Sequence, residues 1–417
     1  MSLISIEKGS RRYAWLIVGL LSVVGCLNYL DRMMITTMRF SIVDSIPMTD
    51  AQFGLLTSLF LWIYGFLSPM GGFLADRFKR SWVIIGSLFV WSLVTLLTSY
   101  VTTYEGLLLT RALMGISEAC YIPAGLALIM DYHKGATRSL ANGIHMAGIM
   151  IGQSLGFVGG WLAETHSWNY AFLAFGLFGI VYALILTVLL REAPKDVVQA
   201  EIHSEMTSPD VGVDLRGAIR ALFFNRQYIT TLLFWGTGGI VVWLVTGWLP
   251  TYFKEHFNLS QSMAGVYSTG YIYTAALLGV LTGGFLADRW AKRNPRARML
   301  VPAIGLLIAA PAIFFASLAD TLAFALPGFV AFGFFRVFLD ANMMPMLTQI
   351  VDRRLIATAY GILNFISCLV GGVSLYAGGW LRDMNVDVGL LFRISSVCMV
   401  VMAALLYTLK PKPDKLV

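Results

Sequence analysis

The sequence carries very little charge for its length of 417 residues. Asp, Glu, Lys and Arg make up 13% of the chain, whereas 58% of its residues are hydrophobic. A soluble domain typically contains about 25% charged residues. A chain of this composition cannot hide its apolar surface inside one soluble core, which argues against an ordinary soluble protein and predicts that the bilayer is its solvent.

The sequence also lacks the patterns that metal, redox and nucleotide chemistry require. Its four cysteines lie in apolar runs, without metal-ligand or disulfide spacing: Cys26, Cys120, Cys368 and Cys398. The Gly-Gly pairs also lie in apolar runs, with no preceding strand and no lysine of a phosphate loop. Neither a nucleophile constellation nor a sizeable soluble domain is apparent. We therefore expect no enzymatic activity, no cofactor and no metal.

Long apolar runs are abundant instead. A spanning helix needs about 20 mostly apolar residues, and the sequence predicts an all-α membrane protein with twelve of them, at 13–36, 53–75, 82–101, 106–130, 139–162, 169–190, 228–250, 263–287, 299–318, 321–351, 356–380 and 387–409. The first run follows a short polar segment directly and is expected to remain as an uncleaved span. The polar stretch 191–227 predicts a linker between an N-terminal half, 1–190, and a C-terminal half, 228–417.

The basic residues lie mostly on one side of this predicted topology. Of the 30 Lys and Arg residues, 23 fall in the termini, the linker and the loops of that side. The other side has few cations: Arg39, Lys254, Arg382 and Arg393. The positive-inside rule then predicts a multi-pass protein of the inner (plasma) membrane with both termini in the cytoplasm. The net charge of +7 needs no nucleic-acid partner, because topology accounts for it.

The two predicted halves repeat each other in sequence. Residues 71–77 read Gly-Gly-Phe-Leu-Ala-Asp-Arg and recur letter for letter at 283–289, at the end of the second span of each half. An acidic residue, an alanine and a proline recur at 118–123 and 340–345, and Gly-Gly-Trp-Leu recurs at 159–162 and 378–381. Three matches in the same order predict two parallel six-span repeats, an arrangement known from one class of transporters.

These repeats resemble the major facilitator superfamily over the whole chain. The resemblance implies two pseudo-symmetric six-helix bundles that transport a small molecule by alternating access, and we expect a monomer to suffice. In that superfamily the loop after the second span helps to latch the cytoplasmic side. The resemblance therefore implies cytoplasmic gate roles for Asp76, Arg77, Asp288 and Arg289, although Lys79 stands where a glycine is common. A plain topogenic charge cluster is the alternative.

The first, fourth and tenth predicted spans together contain six charged residues, each of which costs about 2.5–3.5 kcal/mol on insertion scales. They are Asp31, Arg32, Arg111, Glu118, Arg336 and Asp340. Within the superfamily, the first and fourth spans of each half line the central cavity. The resemblance thus implies a shared aqueous path beside these charges. The alternative is that pairs such as Arg111 with Glu118, or Arg336 with Asp340, only hold helices together.

The residue types suggest two roles. Burial raises the proton affinity of a carboxylate and a nearby arginine lowers it, so Asp31 and Glu118 are candidate proton-coupling sites. An arginine matches a carboxylate or phosphate in shape, which makes Arg32 the candidate anchor for an anionic substrate. Tyr29 lies one helical turn from Arg32, and Tyr64 of the second span is a further candidate for the same site.

The elements Asn-Tyr-Leu-Asp-Arg at 28–32 and Arg-x6-Glu-Ala at 111–119 resemble the anion:cation symporter family. That resemblance implies proton-coupled symport of a sugar acid or another organic anion, and the position of Asn364 often holds an asparagine in that family. Asn364 and Asn342 are candidate ligands for substrate hydroxyls, with helix–helix hydrogen bonding as the alternative. One departure concerns a fifth-span glutamine of that family, since Ile149 occupies the position, with His145 and Gln153 one turn away on either side.

A second resemblance leaves the substrate class open. Asn-Pro-Arg-Ala at 294–297 and Asp131 resemble the Spinster-type lysolipid transporters, which share the first-span and fourth-span elements. This resemblance implies transport of a lysolipid or an amphipathic drug. Near the outer end of the seventh span, Trp243, Trp248 and Tyr252 predict an interfacial aromatic belt, with a substrate gate as the alternative.

Overall fold

Twelve long apolar helices dominate the computed structural model, which describes residues 11–133, 137–193, 215–352 and 355–410, without the side chains at 76, 215, 216 and 218. Numbered as spans 1 to 12 in chain order, they are Arg11–Thr37, Asp50–Ala75, Arg80–Thr98, Tyr104–Tyr132, Arg138–Thr165, Trp168–Leu189, Arg226–His256, Gln261–Ala291, Ala297–Ala316, Leu322–Ile350, Ile356–Asp383 and Val388–Thr408. The prediction of an all-helical protein with twelve spans is confirmed. Two shorter helices, Arg39–Ser45 and Leu215–Phe224, follow span 1 and precede span 7.

Span 7 is longer than its sequence predicts. The expected end was at Pro250, which lacks a backbone N–H, yet the helix continues to His256. The turn after the proline is held by packing, because the Tyr252 and Phe253 rings lie 5.6 Å and 5.2 Å from the ring of Phe329. Burying these two aromatic side chains stabilises the extension by a few kcal/mol, about the cost of an internal proline.

Four spans are interrupted where polar side chains enter the interior. Span 4 consists of the helices Tyr104–Glu118 and Tyr121–Tyr132, and span 10 of Leu322–Arg336 and Phe338–Ile350. Span 5 is broken between Arg138–Ser154 and Phe157–Thr165, and span 8 contains the π-helix Val266–Tyr271. The first segments of spans 4 and 10 end at Glu118 and Arg336, so two of the charges predicted from the sequence lie at breaks in the helical hydrogen-bond ladder.

The bundle has two ends, which we call the terminal end, where span 1 begins and span 12 finishes, and the far end, opposite to it. At the far end, span 2 of the first half packs along span 11 of the second. Ser58 donates its hydroxyl to Gly372 O at 2.6 Å, and the Trp62 indole donates to Leu369 O at 3.0 Å. From Asp50 to Trp62 this seam runs for about 18 Å along span 2, at 1.5 Å per residue.

Spans 5 and 8 form the matching seam on the other side of the bundle. The Ser154 hydroxyl donates to Gly270 O at 3.1 Å, inside the π-helix, and lies 3.1 Å from the Thr274 hydroxyl. Nearer the far end, Glu164 Oε2 accepts from Ser262 N at 2.6 Å. These contacts, like those of spans 2 and 11, join the two groups of six spans toward the far end. They lie between that end and the charges of the interior.

Candidate functional site

A buried ion pair lies between spans 1 and 4. Arg32 Nε donates to Glu118 Oε2 at 2.7 Å, and the two side chains are 2% and 0% exposed. Span 1 is a continuous helix at Arg32, while Glu118 is the last residue of the first helix of span 4, so the break in span 4 presents its carboxylate to the arginine. A buried charge without a partner is strongly destabilising, and each of these two residues supplies the other's.

Aromatic rings surround the Arg32 guanidinium. Its Cζ lies 4.2 Å from the ring centroid of Tyr64, 4.7 Å from that of Tyr29 and 5.0 Å from that of Phe60. Phe60 and Tyr64 stack on each other one turn apart in span 2, with their centroids 6.0 Å apart. Tyr29 and Tyr64 were predicted to join Arg32, and the structure brings all three together. Phe60 was missed, although its spacing of four residues before Tyr64 could have indicated it.

A second cluster of charges lies beside this pair. The Thr95 hydroxyl donates to Asp31 Oδ2 at 3.4 Å, and Asp31 is 4% exposed. Arg111 is 2% exposed, and its guanidinium lies 5.5 Å from the centroid of the Phe172 ring. The alternative in which Arg111 pairs with Glu118 is wrong, because Arg32 holds that carboxylate, and Arg111 has no carboxylate within 4.0 Å in the described part of the chain.

Several buried polar atoms around the two clusters lack a hydrogen-bond partner among the described residues: both side-chain amide atoms of Asn28, Nη2 of Arg32, Nε and Nη2 of Arg111 and Oε1 of Glu118. Buried polar groups are nearly always satisfied by protein or by water. These atoms are therefore the donors and acceptors of this region that have capacity for further hydrogen bonds.

A pocket between the two halves opens onto Arg32. Arg32, Thr36, Thr57, Arg111 and Thr246 supply its polar atoms. The rest of its lining is apolar: Met33, Ile35, Phe60, Leu61, Trp243, Gly247 and Leu375. Two cations at one wall, three threonines and an apolar remainder suit a ligand with an anionic group and an apolar body.

A neighbouring pocket belongs to the second half and contains Arg336. Arg336 Nη2 donates to Asp340 Oδ2 at 3.2 Å within span 10, which is the pair that the sequence analysis gave as an alternative. The two side chains are 12% and 36% exposed. The Thr246 and Tyr273 hydroxyls, 2.9 Å apart, lie between this pocket and the first one. Tyr273 also reaches Met33 Sδ in span 1 at 3.7 Å, so the boundary between the pockets bridges the two halves.

The candidate sugar ligands lie apart from the Arg32 pocket lining. Asn342 is buried, and its amide nitrogen donates to Phe338 O at 2.8 Å and to Gly283 O at 3.4 Å. This is helix–helix hydrogen bonding, the arrangement expected where small residues let helices approach closely. Asn364 is half-buried on span 11. His145 is fully buried beside the Tyr121 ring, with centroids 6.0 Å apart, away from the Arg32 pocket lining.

The predicted gate residues lie at the terminal end. Arg77 is exposed, and the side chain of Asp76 lies outside the described residues. Arg298 Nη2 bonds Asp288 Oδ1 at 3.2 Å, which ties the end of span 8 to the start of span 9 within one half. Asp131 similarly pairs with Arg80 and ties span 4 to span 3.

The most extensive charge network was missed by the sequence analysis. It joins the short helix Arg39–Ser45 to spans 2, 7 and 11 at the far end, and we call its residues Arg39, Asp50, Glu255, Arg382 and Asp383 the far-end latch. Arg382 donates to Asp50 Oδ2 at 3.0 Å and forms a bidentate pair with Glu255 at 2.9 and 3.0 Å. Arg39 pairs with Asp50 and lies 3.8 Å from Glu255.

Two further features complete this latch. The Asp383 carboxylate accepts from the backbone N–H groups of Asp50 and Ala51, at 2.9 and 3.0 Å, and so caps span 2 from the opposite half. Trp248 is 1% exposed, with Arg382 5.4 Å and Arg39 5.8 Å from its ring centroid. The aromatic belt predicted for Trp248 and Tyr252 is therefore wrong, because both rings are buried in the protein. The far-end latch could have been suspected from the sequence, because Arg39 and Arg382 are two of the few cations on the cation-poor side.

Comparison with known proteins supports the fold. The family described as Major Facilitator Superfamily matches residues 21–375. The human protein spinster homolog 1 is 30% identical over 88% of this chain and 73% of its own length. Its counterpart in Xenopus tropicalis is 28% identical over 90% of this chain and 74% of its own length.

Solved structures of similar shape also exist. One is a bacterial homologue of the human lysosomal transporter Spinster in an inward-facing, occupied conformation. It superimposes with a TM-score of 0.77 at 23% identity, and the superposition covers 96% of this chain and 97% of the homologue. Its unoccupied inward-facing form superimposes with a TM-score of 0.76. At this identity the likeness establishes the fold.

Proposed function

Since the chain belongs to the major facilitator superfamily, and so to a family of membrane transporters, we propose that it moves an amphipathic anion, of the lysolipid type, by alternating access coupled to protons. The observation that carries this proposal is the Arg32 pocket, where an arginine paired with a buried glutamate borders a mostly apolar cavity. The similarity to spinster proteins supports the same substrate class.

The lining favours an amphipathic anion over a sugar acid. A sugar acid presents several hydroxyl groups, each of which needs a hydrogen-bond partner when it is buried. The pocket offers three threonine hydroxyls, whereas Asn342 donates to backbone carbonyls and Ile149 stands at the fifth-span position. An acyl chain, in contrast, gains about 0.8 kcal/mol for each CH₂ group that it buries against apolar side chains.

The Arg32–Glu118 pair supplies a route to proton coupling. An anion that binds Arg32 competes with the Glu118 carboxylate for the same guanidinium. A proton taken up by Glu118 from the open aqueous side weakens its hold on Arg32 and frees the guanidinium for the anion. When the proton leaves on the other side, Glu118 reclaims Arg32 and the anion is released. Asp31, buried beside the pair together with the cation of Arg111, is the second candidate proton site.

The far-end latch identifies the conformation from which the proposed exchange of proton and anion starts. With both termini in the cytoplasm, as the basic residues predict, a closed far end makes this a state that is shut toward the outside of the plasma membrane. The proposed cycle alternates it with a state in which the latch is broken and the terminal end is closed. Asp76, Arg77, Asp288 and Arg289 remain the predicted contacts of that closed terminal end.

Ligand-dependent thermal shifts of the purified protein test the substrate class. Lysophospholipids and sugar acids are titrated against the wild type, the Arg32→Lys variant and the Lys292→Gln control, in which an exposed loop cation is removed. We expect lysophospholipids to raise the unfolding temperature of the wild type and the control, and Arg32→Lys to lose most of the shift, because lysine cannot reproduce the guanidinium geometry. Stabilisation by sugar acids alone would overturn the proposed substrate class.

A further inference from the structure

The short helix Leu215–Phe224 is separate from the spans and is strongly two-sided. Leu222 is 1% exposed and joins the hydrophobic core, so one side of the helix packs against the protein. Ile219, Phe223 and Phe224 are 40%, 48% and 80% exposed, and Arg220 is exposed as well. Exposed aromatic and basic side chains together are the pattern of a helix that lies in a membrane interface.

The helix is fixed at the level where span 7 enters the bundle. Asn225 follows Phe224 directly and caps span 7, accepting from Gln227 N at 3.0 Å and Tyr228 N at 3.3 Å. Its amide donates to Ile350 O at 3.1 Å, at the end of span 10. Phe224 therefore lies one residue from the start of a spanning helix, which is the depth of the lipid headgroups on the terminal side.

Exposed cations lie at this corner. Arg220 and Arg226 are both exposed, and Arg216 stands one helical turn before Arg220 in the sequence. The Arg220 guanidinium lies 5.6 Å from the ring centroid of Phe224, so a cation and an apolar ring share one surface. Such a surface is complementary to an anionic phospholipid, whose phosphate meets the guanidinium while its acyl region meets the ring.

We infer that the helix Leu215–Phe224 is a docking surface for anionic phospholipids, on which Arg220 and Arg226 bind headgroups and Phe223 and Phe224 enter the acyl boundary. This surface is distinct from the Arg32 pocket and does not depend on the transported substrate. Because Leu222 and Asn225 tie the helix to the second half, lipid bound here holds that half to the leaflet at the terminal end.

A fluorescent reporter tests the surface in the full-length protein. Ala221, which is exposed on this helix, is changed to cysteine in a background whose four native cysteines are serine, and is labelled with an environment-sensitive dye. The protein is placed in nanodiscs of phosphatidylcholine alone or with phosphatidylglycerol. The matched control carries the dye at Ser45, an exposed position at the far end. Quenchers attached near the headgroup of the lipid report contact.

We expect headgroup-level quenching at position 221 that increases with phosphatidylglycerol. Each arginine near an anionic surface contributes about a five-fold factor to association, so Arg220→Gln with Arg226→Gln reduces the anionic-lipid effect on the order of 25-fold. Replacing both by lysine preserves it. A dye that stays in water in both lipids, or one that is shielded without being quenched by lipid, would overturn the inference. So would anionic-lipid dependence that survives both glutamine substitutions.

Discussion

The far-end latch makes a quantitative prediction for the variant Arg382→Gln. Arg382 makes one charge-assisted hydrogen bond across the halves, to Asp50 at 3.0 Å, and two within the second half, to Glu255 at 2.9 and 3.0 Å. The bond to Asp50 exists when the far end is closed, and a state with separated halves cannot keep it. The substitution should therefore destabilise the closed state selectively, while the fold of each half persists.

The expected loss of free energy depends on how far water reaches the side chains that bond to Arg382. A buried hydrogen bond to a charged group contributes about 1.5–3 kcal/mol. The two side chains of the Arg382–Asp50 bond are 12% and 16% exposed, so water screens this bond only in part. We take about 1.5–2 kcal/mol for this one bond, which corresponds to a shift of roughly 10–30-fold in the ratio of closed to open far ends.

Distance measurements between spin labels at Ser45 and Leu318 test this shift, since both residues are exposed, one in each half, at the far end. Arg382→Gln should broaden the distribution toward longer distances. The control is Arg393→Gln, which removes the same charge at the same end but breaks a 3.5 Å contact to Asp387 within one half. Equal broadening in the two variants, or none in Arg382→Gln, would refute the reasoning.

Three further predictions concern packing, the site and stability. A Cβ at Gly379 would lie 2.1 Å from Asp50 O, so Gly379→Ala should also open the far end. The control is Gly361→Ala in the same span, where a Cβ meets nothing within 4 Å. The spin-label distances between Ser45 and Leu318 measure the effect of both substitutions. Tyr64→Leu removes a ring 4.2 Å from Arg32 and should weaken substrate binding by about 2–30-fold in a titration, while Tyr64→Phe should bind nearly as the wild type does. Asn225→Ala removes the cap of span 7 and its bond to Ile350, and should lower the free energy of unfolding by about 1–2 kcal/mol. Asn225→Asp keeps the cap oxygen, so denaturant unfolding should show a smaller loss of free energy for it.

The sequence predicted the fold well because two of its signals are nearly unambiguous. Runs of about 20 apolar residues have few alternatives to a spanning helix, and a heptapeptide repeated letter for letter locates the same place in two halves. The association of Tyr29 with Arg32 also followed from helical spacing, whereas Tyr64 of span 2 was only a candidate for the same site.

The partners of the charges could not be predicted in the same way. Spacing put Arg111 and Glu118 on one face of a continuous helix, but span 4 breaks after Glu118, and the carboxylate meets Arg32 of another span. The far-end latch was invisible for a similar reason, since Asp50 and Arg382 are separated by 332 positions and meet only through tertiary packing. Hydropathy likewise assigned Trp248 to the lipid interface, although it is buried beside two arginines.

The most direct test of the proposed coupling is uptake of a labelled lysophospholipid into proteoliposomes under an imposed pH gradient, with wild-type protein and with Glu118→Gln. The account predicts that the gradient accelerates wild-type transport. It also predicts that Glu118→Gln still exchanges substrate but no longer responds to the gradient, because the neutral amide holds Arg32 weakly and carries no proton. Gradient-driven accumulation that persists in Glu118→Gln, or wild-type transport indifferent to pH on either side, would contradict it.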